Sequence, residues 1–361
     1  MPASKATLSD LFTVTMPRFT LKALLVFLFA TIGLAFSSLS QADEAYSYLR
    51  LDAYQTSGGL LETFSHGEVA DPYFGLYSLT LASRYGMHTR AVARRFIDWG
   101  LQAQRPNGQF FRYCRQRQGW VACGDTDSDD ATLARWVELL YAQAQGQLPP
   151  SWQHSAQLAL QALARQKMRN GVYSVFPPNK PGYAGYALFK DNVEVYSAFR
   201  AIASTLRHSG HNAQAQKFSL RAERLHAAMA RAFGDRPFAL KALALGAHYD
   251  HPMFYPQAVA APFGWLEGYF PKPTPSQWSH WLSLYESQWI ANAKTDYPWG
   301  ILALQALSAG DRGTAGCWLL RYTPDRLSNA HWNILEETSA QILEKQEPRL
   351  TCPTSSLMSP M

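Results

Sequence analysis

The residue types that could do chemistry are concentrated in one place. Asp125, Asp127, Asp129 and Asp130 fall within six consecutive positions, directly ahead of the apolar run Ala131–Gln143. A helix start welcomes one acidic side chain, because its first N–H groups have no partner inside the helix. Four acids exceed that need. Carboxyls crowded together raise one another's pKa, and an acid held partly protonated beside an ionised one is the equipment of general acid–base catalysis. Asp130 is the better placed to cap, which leaves Asp127 and Asp129 as the candidate base. Glu68 is the candidate acid, since it sits in the irregular stretch Ser65-His-Gly-Glu68 with no capping duty; Glu62 stands behind it. Asp71, followed by Pro72, reads first as a helix cap and then as a substrate contact. Asp191 (paired with Glu194) and Asp296 occupy similar positions before later apolar runs. Tyr73, Trp120, Tyr255, Tyr297 and Trp299 lie in the same stretches and offer flat faces for a ligand.

The elements that must position these residues are helices. Arg90–Gln104 puts Val92, Phe96 and Trp99 on one stripe; Gln153–Gln166 does so with Leu158, Ala162 and Leu163, and Ala213–Phe233 with Phe218, Ala222, Leu225 and Met229. These one-sided patterns suit an outer layer. Alternating with them are runs that are apolar or small all round, at 71–82, 131–141, 192–205 and 297–307. Such helices are buried on every side. Long Val/Ile/Thr alternation is missing, so no large sheet is expected. Asp71, Asp130 and Asp191 recur at roughly 60-residue steps, which is the period of a helical-hairpin array. About five to six such hairpins closed into a ring make a single-domain, all-α (α/α) toroid. In that ring the starts of the inner helices share one face, so the Asp-bearing stretches gather round one cleft.

Composition bounds the rest. Residues 1–42 read as a secretory signal peptide, with Met16 as a second possible start, Arg18 and Lys22 ahead of an apolar run from Ala23 to Phe36, and Ser40-Gln41-Ala42 at the cleavage site. That run is short for a bilayer span, so no stable membrane span is expected after cleavage. Residues 43–346 form the toroid and 347–361 a tail. Export implies a periplasmic or secreted protein and oxidised cysteines. Cys114 and Cys123 are the expected pair, with Cys317–Cys352 as a second. The formal charge of +6 is spread without long basic runs, which disfavours nucleic acid as a partner. His248, Asp250 and His251 match no strong metal pattern, so neither a metal nor another cofactor is expected.

The hairpin register, together with Asp127-Ser-Asp-Asp-Ala-Thr-Leu-Ala-Arg-Trp136, resembles the six-hairpin (α/α)-toroid glycosidases. It is most similar to glycoside hydrolase family 8, the bacterial endoglucanase and chitosanase type. Asp127-Ser-Asp129 matches that family's Asp-x-Asp stretch, while the apolar positions after it run one residue out of step. Gly67-Glu68 and Tyr73-Phe-Gly75 supply parts of its N-terminal acid motif at a different spacing. The resemblance implies inverting hydrolysis of a polysaccharide or oligosaccharide, with Glu68 as acid and Asp127 or Asp129 as base. Two other readings fit the same toroid: a polysaccharide lyase using Tyr255, His331 and Asn329, and a non-catalytic carbohydrate-binding protein of the cell envelope.

Overall fold

A computed structural model describes residues 48–178, 180, 185–234, 253–324, 326, 328–346 and 352, together with the backbone of 240–242. The proposed signal peptide, nearly all of the tail, and His248, Asp250 and His251 lie outside the described residues.

Eleven α-helices among the described residues alternate in character along the chain. The odd-numbered ones are α1 (Pro72–Arg84), α3 (Asp129–Gln143), α5 (Phe189–His208), α7 (Val259–Leu266), α9 (Gly300–Ser308) and α11 (Ile334–Gln346). Between them run α2 (Arg90–Ala103), α4 (Pro150–Gln166), α6 (Asn212–Phe233), α8 (Pro275–Asn292) and α10 (Arg312–Tyr322). Every residue of α3 from Asp129 to Leu140 is buried, as is every residue of α9 from Gly300 to Ala306. Helix α2 buries only Val92, Ala93, Phe96, Ile97 and Gly100. The odd helices therefore form an inner layer and the even ones an outer layer. Each inner helix packs on the next, and α11 packs back on α1, which closes the ring. The fold is an all-α toroid, with six inner and five outer helices among the described residues. Among the described residues, no helix is long and apolar enough to cross a membrane.

The stripes differ in detail from the sequence expectation. In α4 the buried face is Trp152, Ser155, Ala156, Ala159, Ala162, Leu163 and Gln166, with Leu158 at its edge. A small sheet also forms at the rim, although no large one does. Strands β1 (Val69–Ala70), β2 (Phe111–Gln116) and β3 (Gly119–Asp125) are antiparallel, with Cys114 opposite Val121 and Val69 opposite Cys114. Cys114 and Cys123 are bridged across this hairpin, Cα–Cα 5.7 Å, and Cys317 is bridged to Cys352, Cα–Cα 4.4 Å. A second short pair joins β4 (Tyr186–Leu188) to β5 (Leu240–Ala242). The Pro-rich stretch before α7, Phe254–Ala258, is a kinked turn in which Tyr255 is extended, φ −107° and ψ 132°, and its bond to Pro256 is cis.

The toroid axis is filled by charge rather than by apolar side chains. Arg135 on α3 is fully buried and donates to Glu267 at 2.7 Å, Glu138 at 3.1 Å and Glu194 at 3.4 Å, with its guanidinium over the Tyr77 ring. Arg84 reaches Glu138 at 2.7 Å and also pairs with Glu267. Lys190 reaches Glu194 at 2.7 Å. Three cations thus meet three carboxylates, and this balance is what makes charge tolerable away from water. Burial alone would raise the Glu267 carboxyl, but Arg135 and Arg84 hold it well below the usual carboxylate range.

Candidate functional site

The starts of all six inner helices converge on one face of the ring, and a cavity of about 260 Å³ opens there. Helix α1 contributes Tyr73 and Phe74, and the turn ahead of α3 contributes Asp127. Lys190 comes from α5. Tyr255 and Phe263 come from the α7 region, Asp296, Tyr297, Trp299 and Ile301 from the start of α9, and Asn333, Leu335 and Glu336 from the start of α11. The positive ends of the helix dipoles point the same way, which suits a site rich in carboxylates.

Asp127 is held by its neighbours on both sides. Its backbone N–H donates to Asp71 Oδ2 at 2.8 Å, and its half-exposed carboxylate lies 3.7 Å from Arg112 Nη2. Asp71 is the N-cap of α1, accepting from Tyr73 N at 3.0 Å, and its Oδ2 also accepts from Arg112 Nε at 2.9 Å. Burial pushes the Asp71 carboxyl up to about 6 against the pull of Arg112.

Glu336 lines the same cavity as Asp127, from the start of α11, two inner helices away round the ring. Its Oε1 accepts from Trp299 N at 3.0 Å and its Oε2 from Gly300 N at 2.5 Å, so it caps α9 from outside that helix. Burial dominates those two donors and pushes the carboxyl up to about 8. The arrangement explains two local features. Trp299 takes the left-handed conformation, φ 56°, which turns its N–H onto the Glu336 carboxyl. Position 300 is glycine because an added Cβ would sit 2.7 Å from the Ser339 and Trp318 side chains and 2.8 Å from Glu336 Oε2.

Lys190 is buried at the inner end of the cavity. It donates to the Tyr73 hydroxyl at 2.6 Å, and that hydroxyl donates to Glu194 at 2.8 Å. The aromatic wall is continuous: Trp299 lies 5.6 Å from Tyr255 and 6.3 Å from Tyr297, ring to ring, and Tyr297 lies 6.0 Å from Phe74.

Six residues singled out in the sequence therefore meet in this cavity: Tyr73, Asp127, Tyr255, Asp296, Tyr297 and Trp299. Asp296 does not cap the helix after it; Trp299 holds that position, and Asp296 lies in the preceding turn with its carboxyl raised by burial. Other residues lie elsewhere. Glu68 is exposed and does not line the cavity; its backbone carbonyl accepts from Arg115 N–H at 2.8 Å. Glu62 is buried and paired with Arg115 at 2.6 Å. Trp120 is on the hairpin beneath the Arg115 guanidinium. Asp129 is the first residue of α3 and not ahead of it; it is buried and takes hydrogen bonds from Gln109 at 2.5 Å and Thr126 at 2.9 Å, with burial raising its carboxyl to about 6. Ser128, not Asp130, holds the N-cap position of α3, and Leu188, not Asp191, that of α5. Asp130 and Asp191 are both wholly buried behind the cavity wall.

Two functional candidates were missed, Lys190 and Glu336. Glu336 lies only 40 residues after Asp296, well short of the roughly 60-residue step, so the hairpin register did not point to it. Lys190 gave no signal either, since a lysine ahead of an acidic helix start reads as a surface charge.

No protein-family model and no curated protein matches the chain. Three solved glycosidase structures align with most of it. A wild-type enzyme is 15% identical, with 88% of this chain and 97% of that one covered and a TM-score of 0.48. A single-site variant is 15% identical over 87% and 97%, TM-score 0.48. A second variant, in complex with glucose, is 14% identical over 87% and 97%, TM-score 0.47.

Proposed function

We propose that the chain is an exported glycoside hydrolase acting on a neutral oligosaccharide or polysaccharide, with Glu336 as general acid and Asp127 as general base. One observation carries the reading: a buried carboxyl that keeps its proton near neutral pH and a half-exposed carboxylate lie on the walls of one aromatic-lined cavity. Glu336 would protonate the leaving glycosidic oxygen, and Asp127 would draw a proton from the attacking water. An inverting reaction requires the two carboxyls to stand about 6.5–9.5 Å apart, so that the water fits between base and sugar. Tyr297 and Trp299 offer ring faces on which a sugar's C–H groups can lie. The Asp-x-Asp resemblance to family 8 glycosidases supports the role of Asp127. Glu68 and Asp129 drop out of this assignment because neither lines the cavity: Glu68 is exposed on the chain before β1, and Asp129 is buried against Gln109 and Thr126.

Charge supports a neutral substrate. The cavity wall presents Asp127 and Asp296, while the one lysine on it is already paired with Glu194. A uronate would meet repulsion there. The lyase alternative also needs a tyrosine that ionises readily. Burial pushes the Tyr255 hydroxyl up, with Lys190 only partly opposing it, and His331 and Asn329 do not line the cavity. The two disulfides support export to an oxidising compartment.

The test is sugar release from a panel of neutral and acidic glycans. The expected result is reducing-sugar release from a neutral glycan by wild type and loss of at least a hundredfold in Glu336→Gln and Asp127→Asn. Release of unsaturated, ultraviolet-absorbing products from a uronan would replace this reading with the lyase. Binding without release by any variant would favour the carbohydrate-binding protein.

A further inference from the structure

Behind the cavity wall, two buried aspartates share one hydroxyl. Ser128 Oγ lies 2.7 Å from Asp130 Oδ1 and 3.0 Å from Asp191 Oδ2. A hydroxyl has one proton and can donate to only one of two carboxylates. The second contact, at hydrogen-bond distance and out of reach of water, needs a proton from an acid. Both aspartates are buried to within 1% of their surface, so a bare oxygen–oxygen contact there would be costly.

The surroundings decide which acid holds the proton. The charged and titratable groups facing Asp191 are Lys190 and Glu194 on its own helix, Tyr73 on α1, Asp127 ahead of α3, Asp130 on α3, and Tyr255 ahead of α7. Among them Lys190, with Nζ 3.5 Å from Asp191 Oδ1, supplies a positive charge. Those facing Asp130 are Asp191 and Glu194 on α5 and Tyr173 in the chain before β4, none of them a cation. Asp130 Oδ2 is buried with no hydrogen-bond partner, a position that a neutral carboxyl tolerates far better than a carboxylate. Asp130 Oδ1 also accepts from Ala131 N at 2.9 Å, which remains possible for an oxygen that carries a proton.

We infer that Asp130 is a neutral carboxylic acid donating from Oδ1 to Ser128 Oγ, that Ser128 donates in turn to an ionised Asp191, and that this chain holds Lys190 in place at the inner end of the cavity. No bond to carbon changes. One proton sits between Asp130 and Ser128, and one between Ser128 and Asp191. Burial, with Asp191's charge beside it, raises the Asp130 carboxyl well above the ordinary range, whereas Lys190 restrains the rise at Asp191 to about 6. Asp130 and Ser128 are positioning residues: they do not line the cavity but fix the lysine that does. Any use of that lysine in the reaction rests on the hydrolase reading; the placement of the proton does not.

Infrared difference spectroscopy tests it on the full mature chain without any substrate. Wild type minus Asp130→Asn at neutral pH is expected to show the C=O stretch of a protonated carboxyl, lost in the variant. Asparagine mimics the neutral acid and donates to Ser128, so this variant is expected to fold. In Asp191→Asn the band is retained, and in Ser128→Ala it persists at higher frequency because the acid has lost its acceptor. Absence of that band from the wild type minus Asp130→Asn difference overturns the inference by itself, whether or not Asp191→Asn folds. Loss of the band in Asp191→Asn but not in Asp130→Asn also overturns it and places the proton on the other acid. Failure to hydrolyse any glycan leaves these spectra unaffected, so it bears on the proposed reaction alone.

Discussion

Asp71 Oδ2 accepts the backbone N–H of Asp127 at 2.8 Å, joining two positions 56 residues apart. The same carboxylate caps α1 through Tyr73 N and pairs with Arg112 on the hairpin. One buried side chain therefore fixes the start of an inner helix, the sheet at the rim, and the proposed base. Asp71→Ala would remove a cap and leave an N–H and a guanidinium without their partner. The expected loss is about 2–4 kcal/mol of stability, from typical cap and unsatisfied-donor costs. Urea unfolding checks the stability. Activity should fall further than the stability loss explains, because Asp127 loses its anchor; unchanged turnover in the folded variant would remove Asp71 from the site.

Glu336 makes stability depend on pH in a stated direction. Its carboxyl is raised from 4.5 to about 8, so the folded state holds a proton that the unfolded chain releases. The stabilisation is complete below about pH 4.5 and is lost as pH rises through about 8. Asp71, Asp129 and Asp191, raised from 3.8 to about 6, act in the same sense over a lower window. The melting temperature should therefore fall between pH 5 and pH 8.5, and Glu336→Gln should flatten the upper part of that fall. Turnover that depends on protonated Glu336 should decline over the same upper range. A melting temperature that rises with pH across this interval would contradict the assignment.

The ring was legible in the sequence and the site only in part, for physical reasons. Inner helices announce themselves because burial on all sides favours apolar or small residues, as in Gly300–Leu304. Their order also gives the face on which their starts meet, and that brought Asp127, Asp296 and Tyr297 into one cavity. The sequence does not reveal which acids point outward and which point into protein. Asp127 and Asp129 are two positions apart, yet one is half exposed in the cavity and the other buried against Gln109 and Thr126. The axial charges were hidden as well. Arg135 and Glu138 sit in the apolar run of α3, and their partners, Glu194 on α5 and Glu267 at the C-cap of α7, are remote in sequence.

That axial cluster makes its own prediction. Arg135 is the cation shared by Glu138, Glu194 and Glu267. Arg135→Met fills similar volume but leaves three buried carboxylates to Arg84 and Lys190. Breaking a buried ion pair from one side costs roughly 3–5 kcal/mol, and this cluster falls in that range. Chemical denaturation of the variant measures it. A loss below about 1 kcal/mol, the scale of an exposed pair, would mean that the axis is wetter than its geometry indicates.

The Cys114–Cys123 bridge acts on the rim more than on the core. It spans the hairpin whose β2 strand carries Arg112 and whose β3 strand runs into Asp127 through Thr126. Closing a loop of this length restricts the unfolded chain by about 2.5 kcal/mol in the loop-entropy description. The double variant Cys114→Ser, Cys123→Ser should lose up to that amount. Its hairpin amides should exchange faster with deuterium while those of α3 and α9 keep their protection. Because Arg112 bonds Asp71 and flanks Asp127, glycan turnover should fall in the folded variant. Cys317 is buried on α10, away from the cavity, so Cys317→Ser with Cys352→Ser should lower the melting temperature and leave turnover at a permissive temperature unchanged. A reductant opens both bridges at once, so only the paired serine variants separate the two effects. Equal loss of turnover in both would show that the hairpin bridge has no particular hold on the site.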